Sequence, residues 1–178
     1  MSTHKIIIAG FGGQGVMLIG QILAYAAMTE GKEVTWMPAY GPEMRGGTAN
    51  CTVIISEKKI ASPVVTEATA VVAMNEPSLA KFQKLVAPGK DLFINSSLIS
   101  KEPERVDVNV HKVDCIGLAD ELLNTKVSNM VMLGAINSVI NAVSYDSIKK
   151  AMEKSFSGGK AELIDINMQA VNKYACRP

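Results

Sequence analysis

Residues that carry out chemistry by themselves are scarce in this sequence. Its three cysteines, Cys51, Cys115 and Cys176, are widely spaced, and no C-x-x-C pair predicts a zinc site, a redox dithiol or an iron–sulfur cluster. Such cysteine usage is typical of a reducing cytoplasm. There are only two histidines. We expect His4 in a frayed start and His111 in a half-exposed strand, both solvated rather than acting as ligands or bases.

Excess charge of one sign and long apolar runs are also missing. Eighteen basic and 17 acidic residues leave a net charge of +1, and no basic stretch is interleaved with aromatic residues, so nucleic acid is not an expected partner. No apolar run could span a bilayer and no signal peptide is recognisable, so we expect a cytoplasmic protein with no membrane contact. No Walker lysine and no nucleophile elbow is present. The residues alone do not predict a self-sufficient active site.

What the sequence does contain is an alternation of strand and helix patterns. At 178 residues, 48% of them apolar and 20% charged, it is predicted to form one globular domain over residues 1–178. We predict strands near 6–9, 34–37 (stopped by Pro38), 50–56, 70–74, 92–94 (after a Pro88-Gly89 turn) and 106–113. Helices are predicted near 14–30, 77–86, 129–143, 145–156 and 161–175. The alternation predicts an α/β, Rossmann-like, mostly parallel sheet with helices on both faces.

The first strand runs into a cluster of glycines. Gly10, Gly12 and Gly15 fit the spacing G-x-G-x-x-G, and Gly13 and Gln14 complete the segment. Such a turn lets a ligand approach the backbone, and the free N–H groups at the start of the following helix suit an anion such as a phosphate. We therefore take these five residues as candidate cofactor-binding residues. The alternative is a tight strand–helix connection that needs small residues only for packing.

The pattern for a bound dinucleotide is incomplete. An NAD or FAD site of this kind needs an acidic residue at the end of the second strand to hold the ribose hydroxyls. No carboxylate lies between Glu33 and Glu43. NAD and FAD are therefore disfavoured.

Arg45 is a second candidate for anion binding. It is the one cation between Lys32 and Lys58, and its guanidinium can hold a phosphate or carboxylate by two parallel hydrogen bonds. Because it follows the second strand, we expect it at the same sheet edge as the glycine turn, where the two form an anion-binding lip. The alternative is that Arg45 pairs with Glu43 or with a carboxylate of a partner subunit.

The first helix has two apolar sides. At about 100° per residue, one side should pack on the sheet through Val16, Ile19, Leu23, Ala26 and Ala27. The opposite side is almost uncharged, and we predict that it contacts another subunit, unless other helices of this chain cover it. Its residues are Met17, Leu18, Gln21, Tyr25 and Met28.

Four motifs in order carry a family resemblance. They are Gly10-Phe11-Gly12-Gly13-Gln14-Gly15-Val16, then Tyr40-Gly41-Pro42-Glu43-x-Arg45-Gly46-Gly47, then Ile60-x-Ser62-Pro63, then Asn129-Met130-Val131-Met132-Leu133-Gly134-Ala135. Together the chain resembles the gamma subunit of 2-oxoacid:ferredoxin (acceptor) oxidoreductases, from residue 5 to about residue 140. The glycine turn and the Arg-Gly-Gly segment are most similar to 2-oxoglutarate and branched-chain members.

The resemblance implies a subunit of an oxidoreductase complex rather than a catalyst acting alone. Such complexes oxidatively decarboxylate a 2-oxoacid with coenzyme A, giving acyl-CoA, carbon dioxide and reduced ferredoxin or flavodoxin. In that family the alpha and beta subunits hold thiamine diphosphate and the substrate, and the beta and delta subunits hold iron–sulfur clusters. The resemblance thus implies an assembly role beside alpha, beta and delta subunits, no cofactor bound by this chain alone, and a possible share in the coenzyme A site. On this interpretation the second motif faces a partner through Tyr40, Pro42, Glu43, Gly46 and Gly47.

Two other interpretations stay open at this point. A free-standing Rossmann-type oxidoreductase that uses NAD or FAD is the first alternative, and the missing acidic residue argues against it. A bare binding module outside any enzyme is the second.

Overall fold

The computed structural model describes residues 3–39, 48–156 and 161–175. In these ranges the strands are β1 (Thr3–Phe11), β2 (Glu33–Ala39), β3 (Thr48–Ser56), β4 (Ala68–Ala73), β5 (Val86–Asn95) and β6 (Asn109–Val113). The helices are α1 (Val16–Thr29), α2 (Glu76–Phe82), α3 (Cys115–Asp120), α4 (Ser128–Ile140), α5 (Tyr145–Ser155) and α6 (Ala161–Ala175).

The six strands form one sheet in the order β2-β3-β1-β4-β5-β6. Neighbours along β1-β4-β5-β6 are parallel, whereas β3 runs antiparallel to both β1 and β2. The predicted Rossmann-like, mostly parallel sheet is confirmed. Residues 40–47, the eight residues between β2 and β3, are too few for the crossover of a dozen or more residues that a parallel return needs.

The side chains of β1 alternate between the two faces of the sheet, and both faces are covered by apolar residues. Ile6 and Ile8 point to the face covered by α1, α3, α4, α5 and α6. Ile7 and Ala9 point to the opposite face, which α2 covers. The isoleucines are at most 3% exposed, and burying such a side chain stabilises the fold by about 1.5–3 kcal/mol.

Helices α4 and α6 approach each other unusually closely at Gly134. A Cβ placed on Gly134 would lie 1.9 Å from the carbonyl oxygen of Val171 in α6. Only glycine leaves room for that backbone. The fourth sequence motif therefore includes a packing requirement of this fold.

Two prolines predicted to end or precede strands lie inside them. Pro38 is within β2, opposite Cys51, and it is tolerated because β2 is an edge strand whose outer N–H groups need no partner. Pro88 and Gly89 are within β5, where β5 has more residues than β4 between two matched pairs. The other predicted elements are found with shifted ends, and α1 begins at Val16 rather than at Gln14.

The structure places His111 in the expected kind of strand and His4 outside the expected frayed start. His4 lies in β1 opposite Ile55, and its pKa is lowered by burial and by the charges of Lys32 and Lys90. His111 is in edge strand β6, its Nε2 2.9 Å from Asp91 Oδ1. The expectation of a frayed start was wrong for His4, because its backbone pairs with β3. The half-exposed strand expected for His111 is confirmed.

For helix α1, the structure confirms the prediction for the side that packs on the sheet. All five residues expected on the sheet side are buried. On the other side Met28 is 57% exposed, but Met17, Leu18 and Tyr25 pack partly against the core. Lys154 of α5 lies over the Tyr25 ring, with its Nζ 4.6 Å from the centroid. Other parts of this chain therefore partly cover this side, and a subunit contact through Met28 stays a prediction.

Candidate functional site

The glycine turn joins β1 to α1 through residues 12–15. Gly15 is the N-cap of α1 and has φ 73°, in the left-handed region. A Cβ placed on Gly15 would also lie 2.3 Å from Asn129 Nδ2 in α4. A Cβ on Gly10 would lie 2.9 Å from the Cβ of Met74. Gly15 and Gly10 are thus required by backbone conformation and by close approach, which is the packing role weighed above.

The Gln14 side chain ties the turn to the end of β4. Its Oε1 accepts hydrogen bonds from the backbone N–H of Phe11 at 2.7 Å and from Asn75 Nδ2 at 3.1 Å. Its Nε2 donates to the carbonyl oxygen of Met74 at 3.2 Å. Asn75 in turn caps α2 by accepting from the N–H of Ser78 at 2.9 Å. Gln14 therefore holds the turn in place, and its amide is already engaged within the chain.

This turn lies at the topological switch point of the sheet. From β1 the chain crosses through α1 to β2 and β3 on one side, whereas β4 lies on the other side of β1. In open α/β sheets ligands bind outside the carboxyl ends of the strands at such a point. Here the Gln14 side chain fills the crevice between the ends of β1 and β4, so open space is left on either side of it.

One open space, the α1 cleft, lies beside the first turn of helix α1. Its volume is about 300 Å³, and it is lined by Phe11, Gly12, Gly13, Gly15, Val16, Met17, Leu18 and Ala49. Gly15 has no side chain that could cap α1, and the N–H of Ile19 donates to the carbonyl oxygen of Gly15. The N–H groups that precede Ile19 in this first turn have no carbonyl partner within the helix, which makes the α1 cleft suitable for an anion.

The second space, the β5 cleft, lies between the turn and the ends of β4 and β5. It measures about 380 Å³ and is lined by Gly13, Gln14, Met74, Asn95, Leu98, Ile116, Thr125 and Ser128. None of the described residues that line the two clefts carries a charge. A charged group for binding an anion must therefore come from outside these described residues.

Arg45 and the rest of the second motif lie outside the described residues. This applies to the predicted site and interface residues Arg45, Tyr40, Pro42, Glu43, Gly46 and Gly47, and it also applies to Cys176. The residues that flank the motif are described. Ala39 pairs with Asn50 at the end of β2, and Thr48 pairs with Phe11, the last residue of β1.

The position of β2 adds to the argument against a dinucleotide. Strand β3 lies between β2 and β1, so the end of β2 is two strand spacings, roughly 10 Å, from the end of β1. A carboxylate at the end of β2 would be too far away to hold a ribose on the glycine turn. The structure therefore does not place the second strand where an NAD or FAD site needs it.

Three asparagines near the turn were missed from the sequence. Asn75 lies two residues after β4, Asn95 is the last residue of β5, and Asn129 stands at the start of α4; all three are at most 8% exposed. The signal for the first two was a polar amide after an apolar run, at the strand end where parallel sheets gather functional groups. Asn129 could not be placed because its contact with Gly15 is between distant parts of the chain.

Titratable groups offer little chemistry in the described ranges. Burial raises the pKa of the Cys51 thiol to about 12 and also raises the pKa of Cys115. Both thiols therefore stay protonated at neutral pH, which makes them poor nucleophiles.

Among the described residues, no group of three or more His, Cys, Asp or Glu side chains could hold a metal ion. Within the same ranges, no helix has the length and apolar character needed to cross a membrane.

The comparisons of this chain with family models, curated proteins and solved structures agree with one another. The model of the pyruvate ferredoxin/flavodoxin oxidoreductase family matches residues 5–174. The chain is 37% identical to the ketoisovalerate oxidoreductase subunit VorA of Methanothermobacter thermautotrophicus over 96% of its own length, but it spans only 35% of that relative. It is 36% identical to the 2-oxoglutarate synthase subunit KorC of Methanocaldococcus jannaschii, covering 89% of this chain and 86% of that one.

A solved structure shows the same fold. The gamma subunit of a keto/oxoacid ferredoxin oxidoreductase from Geobacter sulfurreducens superposes with a TM-score of 0.81 at 28% identity. The match covers 96% of this chain and 95% of that one.

Proposed function

The chain belongs to the pyruvate ferredoxin/flavodoxin oxidoreductase family, and we propose on that premise that it acts as the gamma subunit of a 2-oxoacid:ferredoxin oxidoreductase complex. The resemblance drawn from its four motifs is confirmed by the family match, by a relative named as a 2-oxoglutarate synthase subunit and by a solved structure named as a gamma subunit. The complex would oxidise a 2-oxoacid with coenzyme A and pass electrons to ferredoxin or flavodoxin. Alpha, beta and delta subunits would hold thiamine diphosphate and the iron–sulfur clusters.

The oxoacid of the complex is proposed to be 2-oxoglutarate. Relatives named for 2-oxoglutarate and for ketoisovalerate are almost equally similar to this chain. The 2-oxoglutarate relative is matched over 86% of its own length and the ketoisovalerate relative over only 35%, which supports the first. A purified complex that reduces ferredoxin faster with ketoisovalerate than with 2-oxoglutarate would reverse this assignment.

The contribution proposed for this chain is a site for the phosphates of coenzyme A. The observation that carries it is the α1 cleft, where N–H groups without a partner inside the helix start α1 at the switch point of the sheet. Thr48 pairs with Phe11, so the segment that contains Arg45 rejoins the sheet directly beside this cleft. Arg45 would add the charge that the lining residues lack, and the glycine turn would add directed N–H groups.

Replacing Arg45 by alanine tests this proposal in the assembled complex. Loss of a charge-assisted contact of about 1.5–3 kcal/mol should raise the KM for coenzyme A about 10- to 150-fold. The KM for the oxoacid should barely change. A matched control is Lys149→Ala, which removes an exposed cation from α5, away from both clefts. If Arg45→Ala weakens assembly while the KM for coenzyme A is unchanged, Arg45 is an interface residue and the proposed site is wrong.

A further inference from the structure

A cleft at the opposite edge of the sheet carries three lysines. It measures about 390 Å³, and its lining includes Lys5, Lys58, Lys59, Ile60, Ser62 and Val64; we refer to it as the lysine cleft. It contains part of the third sequence motif, Ile60-x-Ser62-Pro63, for which the proposed function gives no role.

The lysine cleft is well separated from the glycine turn. Thr3, which opens β1, pairs with Ser56, which closes β3, and Lys58 and Lys59 follow directly. Strand β1 is nine residues long, so roughly 25 Å separate this edge from the turn. A ligand bound here would not touch the α1 cleft.

Local hydrogen bonds fix the chain that surrounds the lysine cleft. The hydroxyl of Ser56 accepts a hydrogen bond from the N–H of Lys58 at 3.1 Å and lies 3.0 Å from the hydroxyl of Thr3. Further along, the hydroxyl of Ser62 accepts from the N–H of Val64 at 3.2 Å. Ser56 therefore ties the end of β3 to β1 and orders the backbone at Lys58, and Ser62 orders the backbone at Val64.

The charges in this cleft are not balanced by the residues that line it. No carboxylate is among them, and the neighbouring Glu57 lines a different hollow with His4 and Lys32. Of the ion pairs between described residues, none includes Lys5, Lys58 or Lys59. Like charges around one concavity repel each other, and a bound anion would relieve that repulsion.

We propose that the lysine cleft binds a small polyanion, a molecule that carries at least two neighbouring phosphate or carboxylate groups. Lysine ammonium groups act as point charges that suit phosphate and carboxylate oxygens. The cleft lies within the size range of small-molecule sites and, like them, has apolar walls beside its polar groups, here Ile60 and Val64. The site is independent of the glycine turn and does not rest on the proposed function.

An NMR titration of the full chain with pyrophosphate, and separately with citrate, tests the proposal. We expect saturable shifts of the backbone amides of residues 58–64, with a dissociation constant of about 1 mM or tighter for one of the two probes. Tighter binding of pyrophosphate assigns the site to phosphates, and tighter binding of citrate assigns it to carboxylates. The double variant Lys58→Ala/Lys59→Ala should weaken this binding by about tenfold or more.

The matched control is Lys149→Ala/Lys150→Ala, which removes an exposed lysine pair with the same change in net charge from α5. Binding to the control should stay within about twofold of the unaltered chain, because lysines outside the site add only a screened, long-range attraction. Three outcomes would each overturn the proposal. They are no saturable shift at residues 58–64 with either probe, equal weakening in both double variants, and shifts confined to the glycine turn.

Discussion

Replacing Gln14 by alanine should destabilise the chain, because the Gln14 side chain holds the glycine turn in place. The change removes three hydrogen bonds, with the N–H of Phe11, with Asn75 Nδ2 and with the carbonyl of Met74. Asn75 is only 4% exposed, so its amide would lose a partner that water cannot fully replace. Neutral hydrogen bonds contribute about 0.5–1.5 kcal/mol each, and an unsatisfied buried group costs about 1–3 kcal/mol. We expect a loss of about 2–4 kcal/mol in the free energy of unfolding.

Urea and thermal denaturation of the full chain measure this loss. For a chain of this size it corresponds to a Tm lower by about 5–15 °C. Gln14→Glu should be no milder than alanine, because a carboxylate oxygen would face the Met74 carbonyl in place of the N–H donor. The control is Gln21→Ala on the half-buried side of α1, expected to change stability by less than about 0.5 kcal/mol. If Gln14→Ala is as mild as this control, Gln14 does not hold the turn and is free to contact a ligand.

Two further predictions concern contacts away from the turn. Gly134→Ala should cost about 2–3 kcal/mol in unfolding free energy because its Cβ would overlap the Val171 carbonyl; unchanged stability would show that α4 and α6 can separate freely. Glu30→Gln should cost about 1–2 kcal/mol at pH 7 after allowance for solvent screening. Although burial opposes it, hydrogen bonds from Lys32 and the Ser144 amide lower the pKa of Glu30 from 4.5 to about 2. The Glu30 stabilisation is therefore fully present above about pH 4.5 and is lost as the pH falls through about 2. Urea denaturation of both chains from pH 7 to pH 2 should show their stabilities converging, and a constant difference would contradict this assignment.

The fold class followed from hydrophobic patterning, but several of its details did not. Apolar runs such as residues 70–74 and the glycine-terminated first helix are local signals, and both elements are found. The order of the strands is a non-local property, so neither the position of β3 between β2 and β1 nor its antiparallel direction was visible. The end of β2 was predicted too early, at Pro38, because a strand can contain a proline when it lies at the edge of the sheet. The position of β2 at an edge could not be read from the sequence.

The candidate site was predictable in position but not in its internal contacts. The glycine spacing located the turn, and strand polarity located its edge of the sheet. The role of Gln14 depends on Met74 and Asn75, about 60 residues further along the chain, and the role of Gly15 depends on Asn129. Such pairings become visible only once the strands and helices are assembled.

The most direct test of the gamma-subunit assignment is the 2-oxoacid-dependent activity of whatever complex this chain joins. The affinity-tagged chain would be purified from its source cells and assayed for ferredoxin reduction with 2-oxoglutarate, with and without coenzyme A. We expect the chain to co-purify with larger subunits that contain thiamine diphosphate and iron–sulfur clusters, and we expect reduction that stops when coenzyme A is left out. A chain that purifies alone, in fractions without 2-oxoacid-dependent electron transfer, would contradict the assignment.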